Sequence, residues 1–252
     1  MPTTTDETDG ATARPPRDTA RLFNDKDLVS LYNRFTRSLD ASEVPMNRWL
    51  DEHLGSGRRA LDVGCGTGRY TVRLADRYDE VVGIDVAPAM IEIAERDRLR
   101  SNIRYQTRDV LGLTPEHDGR FDVVLALGCV VNVGPPALVL GHLRNLVAKG
   151  GTLLVMEPMW EPGWGSRDWQ VDFAFRTARA VWKGTGDLDD VIAALQVVLH
   201  PTWLEMAGIG VPLAREDFLR EYSAALPGAT IEEGYERLGL RVFAVSWRAE
   251  GE

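Results

Sequence analysis

The stretch that most constrains this chain is Ala60-Leu61-Asp62-Val63-Gly64-Cys65-Gly66-Thr67-Gly68-Arg69-Tyr70. It opens as the short apolar run of a buried strand and places glycine at alternate positions. It then resumes with Tyr70, Val72, Leu74 and Ala75 in a helical pattern. A strand, a tight turn and a helix start follow from that order. Glycine is needed where backbone passes close to a ligand at φ values a side chain forbids, and free N–H groups at a helix start attract an anionic group. A chain organised around such a turn is a layered α/β protein with its ligand at the carboxyl ends of the strands.

Spacing separates the nucleotide-binding readings of this turn. In the dinucleotide fingerprint Gly-x-Gly-x-x-Gly the third glycine would fall at Arg69, and here it is Gly68. A P-loop needs Gly-Lys-Ser/Thr, which the chain lacks. What remains is Asp62-x-Gly64-x-Gly66-x-Gly68, with an acid two residues before the first glycine. A second apolar strand, Glu80-Val81-Val82-Gly83-Ile84-Asp85, ends in a carboxylate and is followed by Pro88 at the first turn of a helix. Asp85 lies about 20 residues beyond the glycines, where nucleotide-binding α/β proteins place an acid for the ribose hydroxyls. A third strand, Ile103-Arg104-Tyr105-Gln106, precedes Arg108-Asp109-Val110, in which Asp109 alone reads equally as a helix cap.

These segments resemble motif I and the succeeding strand-end acids of the class I S-adenosylmethionine (SAM) methyltransferases, over about residues 57–158. The resemblance implies SAM as cofactor, with the glycine loop on its methionine part and Asp62 reaching its ammonium directly or through water. It implies that Asp85 takes the ribose and Asp109 the adenine amino group. The remaining cofactor contacts implied are Gly64, Cys65, Gly66, Val86, Met90, Arg108, Val110 and Leu127. Many small-molecule members also lay an N-terminal aromatic residue near the sulfonium or carboxylate, which here would be Tyr32; simple packing of Tyr32 on the sheet is the alternative.

The core reads in βα order, with strands at about 59–64, 81–85, 103–106, Phe121 to Leu127, and Thr152 to Glu157. Each is near-continuously apolar, as parallel strands covered on both faces must be. A helix of about 135–148 is expected to terminate at Gly150-Gly151. Residues Ala229 to Arg237 and Leu240 to Trp247, separated by Leu238-Gly239, read as a closing antiparallel hairpin. The expected fold class is therefore α/β, a doubly wound, mostly parallel seven-stranded sheet with an antiparallel last strand. It carries an N-terminal helical cap and a helical insertion between strands five and six.

The expected organisation is a disordered tail over 1–19 and a single domain over 20–252. Within it fall a helical cap at 20–56, the SAM-binding core at 57–158 and 229–248, and a helical lid at 159–228. The cap reads as two helices broken near Pro45. The insertion carries five of the tryptophans, Trp160, Trp164, Trp169, Trp182 and Trp203, with helices expected over 167–182, 187–199 and 214–225. An aromatic lid suits a flat, apolar or cationic acceptor. A satellite cluster or a homodimer contact is the other reading of the same aromatics.

A formal charge of -9 argues against a protein that works by gripping nucleic-acid phosphates, and no stretch is long and apolar enough for a membrane span. Cys65 and Cys129 have neither disulfide nor metal-site spacing, so no metal and a reducing cytoplasm are expected. Candidate catalytic residues are His200 in the aromatic insertion, Asn132 after strand four and Glu157 at the end of strand five. For His200 a helix-terminal role is the competing reading. His53, His117 and His142 read as surface residues. The expected function is methyl transfer from SAM to an N, O or C atom of a small metabolite, mainly by positioning and desolvation. The alternative is a SAM-fold enzyme that cyclises or decarboxylates without transferring methyl; a protein or tRNA acceptor fits the acidic charge and aromatic insertion less well.

Overall fold

The computed structural model describes residues 22–237 and 239–251. The expected tail at 1–19 and Leu238 of the hairpin turn lie outside the described residues. Seven strands form one sheet: β1 (Gly57–Val63), β2 (Tyr78–Asp85), β3 (Ile103–Thr107), β4 (Phe121–Leu127), β5 (Val147–Pro158), β6 (Thr230–Arg237) and β7 (Leu240–Arg248). Their order is β3-β2-β1-β4-β5-β7-β6. Strands β1 to β5 pair in parallel. Strand β7 returns antiparallel to β5, with Met156 opposite Ala244, and β6 pairs antiparallel with β7 at the edge.

Alternation along the strands divides the core in two. Leu61, Val63, Val124, Ala126, Phe243 and Val245 point to one face. There they meet α7 (Pro136–Leu146) and α11 (Arg215–Ala225) through Leu140, Leu143, Phe218 and Tyr222. Ala60, Val123, Leu125, Leu154 and Met156 point to the other, under Trp49 and Leu50 of α2 (Val44–His53) and Leu74 of α3 (Thr71–Ala75). Full burial of each large apolar side chain is worth about 1.5–3 kcal/mol, so two such layers define which face every strand residue occupies. Asp62, between Leu61 and Val63, is thereby forced into the interior beneath α3.

The remaining helices are α1 (Lys26–Ser42), α4 (Pro88–Arg98), α5 (Pro115–Asp118), α6 (Val130–Val133), α8 (Arg167–Thr185), α9 (Leu188–Val198) and α10 (Pro201–Ile209). Their ends follow local chemistry. The Asp25 carboxylate accepts from the amides of Asp27 and Leu28 at the start of α1, Ser166 Oγ accepts from Trp169 at the start of α8, and Gly186 closes α8 in the left-handed region. The expected cap helices are present, broken at Glu43. Leu28, Phe35 and Leu39 of α1 pack on Val181 of α8 and on Ala194 and Val197 of α9. The N-terminal segment and the insertion therefore form one helical layer at the carboxyl side of the sheet.

Two local expectations are corrected. Helix α7 stops at Leu146, and Gly150-Gly151 lie inside β5. They absorb a register shift in which Phe121 faces Val147 but Val123 faces Thr152, and Gly150 takes φ +70°. Two glycines after a helical pattern signal a helix stop and a β-bulge equally well, and strand pairing chose the bulge. The insertion also holds a fourth helix, α10, beyond the three that were expected. None of its residues is fully buried, so its apolar residues lack the one-sided pattern that reveals a helix in sequence.

Candidate active site

A single cavity at the carboxyl edge of the sheet gathers the tips of β1, β2, β3 and β4, with α1 and the insertion as its outer wall. The glycine turn forms its floor. Cys65 N–H bonds to the Ile84 carbonyl (2.9 Å), and Gly66 N–H donates to Asp85 Oδ2 (3.0 Å), so the turn is tied to the end of β2. Gly64, at φ +65°, backs onto Cys129, where an added Cβ would lie 2.7 Å from the Cys129 Cβ. Gly66, at φ +53°, is uncrowded instead: an added Cβ would make only ordinary van der Waals contact, with Tyr32 at 3.8 Å and Met90 Sδ at 4.0 Å. Positive φ and bare backbone at Gly66 leave a surface that a ligand can approach closely.

The acids are held in different ways. Asp62 is 3 % exposed, and its Oδ2 accepts from Thr71 Oγ1 at 2.6 Å. Burial, reinforced by the nearby charge of Asp85, pushes its carboxyl up to about 7 against the opposing pull of Thr71. Asp85 Oδ1 accepts from Ala87 N–H (2.9 Å), and its carboxyl too is raised by burial while the amides of Ala87 and Gly66 pull the other way. Asp109 caps the turn after β3 by accepting from Leu111 N–H (2.9 Å), as the cap reading expects, and also lines the cavity. Arg108 lines the cavity while its guanidinium pairs with Asp118. Burial pushes the thiols of Cys65 and Cys129 far up, which leaves both poor nucleophiles.

All of the residues expected around the cofactor meet here: Tyr32, Asp62, Gly64, Cys65, Gly66, Asp85, Val86, Met90, Arg108, Asp109, Val110 and Leu127. Tyr32 stacks on Trp203 with ring centroids 6.0 Å apart. The insertion's aromatics divide. Trp164, Trp169, Phe173 and Trp203 line the cavity, whereas Phe175, Trp182 and Trp160 are exposed, and Phe218 and Tyr222 belong to the core on the far face.

The three catalytic candidates divide as well. Asn132 lines the cavity from α6. Glu157 does not: both its carboxylate oxygens accept backbone amides, from Val130 and Val131 at 3.0 Å each, and so fix the start of α6. Burial pushes its carboxyl up to about 7. His200 also stands outside the lining. Its Nδ1 accepts from Thr202 N–H (3.3 Å) at the start of α10, while Thr202 Oγ1 donates to Asp25 Oδ2 (2.7 Å), so the pair joins α10 to α1. The helix-terminal reading of His200 is the one the geometry bears out, because its ring is occupied by capping. His142, expected at the surface, is half-buried, with Nε2 2.8 Å from the Val110 carbonyl oxygen.

Sequence reading missed Arg237, Arg69 and Tyr70. Arg69 is buried in a network from the cap, with Nη1 on Glu43 Oε2 at 2.7 Å and Nη2 on Asp40 Oδ1 at 2.9 Å. Arg237 enters from the end of β6 and donates through Nη1 to the Leu127 carbonyl at 3.0 Å. A charged residue at the carboxyl end of a strand was the available signal for it.

Residues 60–151 match a family model described as a methyltransferase domain. A ubiquinone biosynthesis O-methyltransferase of Marinobacter nauticus is 36 % identical over 121 residues, covering 46 % of this chain and 50 % of that protein. The chain thus spans about half the length of the curated relatives it matches. Among solved structures, one chain of the complex between the Haloferax volcanii Trm112 methyltransferase activator and a methyltransferase superposes with a TM-score of 0.60. Its identity is 14 %, with 94 % of this chain and 100 % of that one covered. The plantazolicin methyltransferase BpumL in complex with S-adenosylhomocysteine (SAH) gives 0.58 at 14 % identity, covering 92 % and 94 %.

Proposed function

We propose, from the premise that this chain carries a class I SAM-dependent methyltransferase domain, that it transfers a methyl group to an N, O or C atom of a small, flat, largely apolar metabolite in a biosynthetic pathway. One observation carries the reading: the glycine turn, Asp62 and Asp85 converge on the same cavity whose outer wall is Trp164, Trp169, Phe173 and Trp203. The residues suit the cofactor. Asp62 is a buried acid that needs a cation, Asp85 offers hydroxyl acceptors beside bare backbone at Gly66, and Asp109 stands at the next strand tip. When bound, SAM supplies an electrophilic methyl on a sulfonium.

The chain's own contribution is orientation and exclusion of water. An in-line displacement requires the acceptor lone pair to face the methyl carbon, and effective-concentration gains alone are worth up to about 7–11 kcal/mol. Tyr32 from α1 lies beside Gly66 of the glycine turn and stacks on Trp203 from the insertion. No histidine, glutamate or lysine lines the cavity among the described residues. With the lining aspartates Asp62, Asp85 and Asp109 assigned to the cofactor, the rest suits an acceptor that reacts without a dedicated base, such as a neutral amine, a stabilised carbon or an acidic hydroxyl. Incubating the protein with methyl-labelled SAM and a panel of metabolites, followed by mass spectrometry, is expected to give a labelled product and SAH only when acceptor is present. A product that gains no methyl while SAM is unconsumed would replace this reading with the cyclase or decarboxylase alternative.

The raised carboxyl of Asp62 gives this reading a pH signature. In the free protein the group is largely protonated below about 7. An ammonium binds the ionised form better, so binding releases a proton. Affinity for SAM is therefore expected to rise with pH, by up to about tenfold per unit below that value, and to level off above it. Asp62→Asn is expected to flatten the profile. Calorimetry over pH 5.5 to 7.5 reads both, and a flat wild-type profile would remove Asp62 from the ammonium site.

A further inference from the structure

Three arginines line the cavity, and two of them have counter-charges within the protein. Arg69 pairs with Asp40 and Glu43, and Arg108 with Asp118. Arg237 differs. Nη1 donates to the Leu127 carbonyl, its guanidinium lies 5.9 Å from the Tyr70 ring centroid, and no carboxylate of the described residues pairs with it. Its Nε is fully buried and has no hydrogen-bond partner. Glu43, Asp62 and Glu157 act on it only at longer range, and an arginine does not escape burial by losing its proton, so a directly paired carboxylate would stabilise it. The edge of the guanidinium that carries Nε is planar, rigid and suited to two parallel hydrogen bonds with a carboxylate.

The location puts that edge within reach of the acceptor side. Arg237 ends β6, and beyond the turn Leu240 packs with Trp169 and Phe173 of the insertion. The turn is itself clamped to α8, since Arg176 Nη1 donates to the Gly239 carbonyl at 3.0 Å. On its other side the Arg237 charge reaches Asp62 and Tyr32 and pulls the Asp62 carboxyl down, so the guanidinium stands where the cofactor and acceptor sides of the cavity meet.

We propose that Arg237 anchors a carboxylate of the acceptor, so that the substrate class is a flat apolar carboxylic acid held between this guanidinium and the wall of Trp164, Trp169 and Phe173. The proposal rests on the methyltransferase reading. It also narrows the acceptor, because a cationic one would meet an unpaired cation at the cavity wall.

The test uses the full chain saturated with SAH and two probe pairs, benzoate against benzamide and 2-naphthoate against 2-naphthamide, followed by calorimetry. Wild type is expected to favour at least one carboxylate over its amide by tenfold or more. Arg237→Gln is expected to reduce that preference below threefold, and Arg237→Lys to retain part of it, with SAH affinity in both variants within threefold of wild type. Equal binding of carboxylate and amide by wild type, or no binding of either pair, would overturn the proposal. So would a preference that survives in Arg237→Gln. A selective loss of SAH affinity in that variant would assign the guanidinium to the cofactor's own carboxylate and overturn it equally. Failure of wild type to bind SAH is a separate result, which would remove the methyltransferase reading beneath it.

Discussion

Replacing Glu43 with alanine is expected to cost about 3–5 kcal/mol of stability, the range for removing one partner of a buried ion pair. Glu43 is 2 % exposed, and its Oε2 accepts from Arg69 Nη1 at 2.7 Å and from the Tyr70 hydroxyl at 3.3 Å. Arg69 is itself 7 % exposed. Asp40, its other acid, is 64 % exposed at the side chain and partly screened by solvent, so it compensates only in part. The penalty therefore arises from the guanidinium left behind in low dielectric rather than from the attraction lost. Urea denaturation reads the effect directly, and a change below about 1 kcal/mol would show that water reaches Arg69 and relieves it. The double change Glu43→Met with Arg69→Met is expected to be more stable than Glu43→Ala, since no charge then remains unpaired. The pair also joins the cap to the residue that follows the glycine turn, so its loss is expected to loosen the cavity wall at Tyr70.

Asp85→Ala is expected to weaken binding of SAM or SAH by about 1–3 kcal/mol, or roughly 5- to 150-fold. Two effects add. The variant loses hydrogen-bond acceptors for the ribose hydroxyls, and it releases Gly66 N–H and Ala87 N–H, which Asp85 holds at 3.0 and 2.9 Å. Freed of that tie, the turn must be ordered by the ligand at further cost. Asp85→Asn keeps one acceptor oxygen and is expected to fall between wild type and alanine. Calorimetry with SAH on a folded variant provides the measurement, and unchanged affinity in Asp85→Ala would take this carboxylate out of the site.

The meeting of the glycine turn and the strand-end acids at one cavity was legible because its information is local. Asp62, the glycine turn, Asp85 and Asp109 each follow a strand end, and a parallel βα order carries successive strand ends to one edge. The same logic failed for Glu157. It also ends a strand, yet its carboxylate turns to the amides of Val130 and Val131, a pairing across 27 and 26 positions that no motif announces. His200 was placed in the insertion, but the helix it caps was not expected, and the choice between acceptor and cap depended on where Asp25 and Thr202 came to rest.

By itself the sequence determined the seven-stranded mixed sheet and the floor of the cavity, because strand alternation, glycine spacing and strand-end acids are all short-range patterns. Only the tertiary structure decided what faces that floor. It joined α1 to α8 and α9, sorted the insertion's tryptophans into wall and surface, and brought Arg237 to Leu127 across 110 positions. The physical reason is that an apolar helix face specifies that it will be buried but not against which partner. That choice is made by the complementarity of surfaces that meet only when the whole chain has folded.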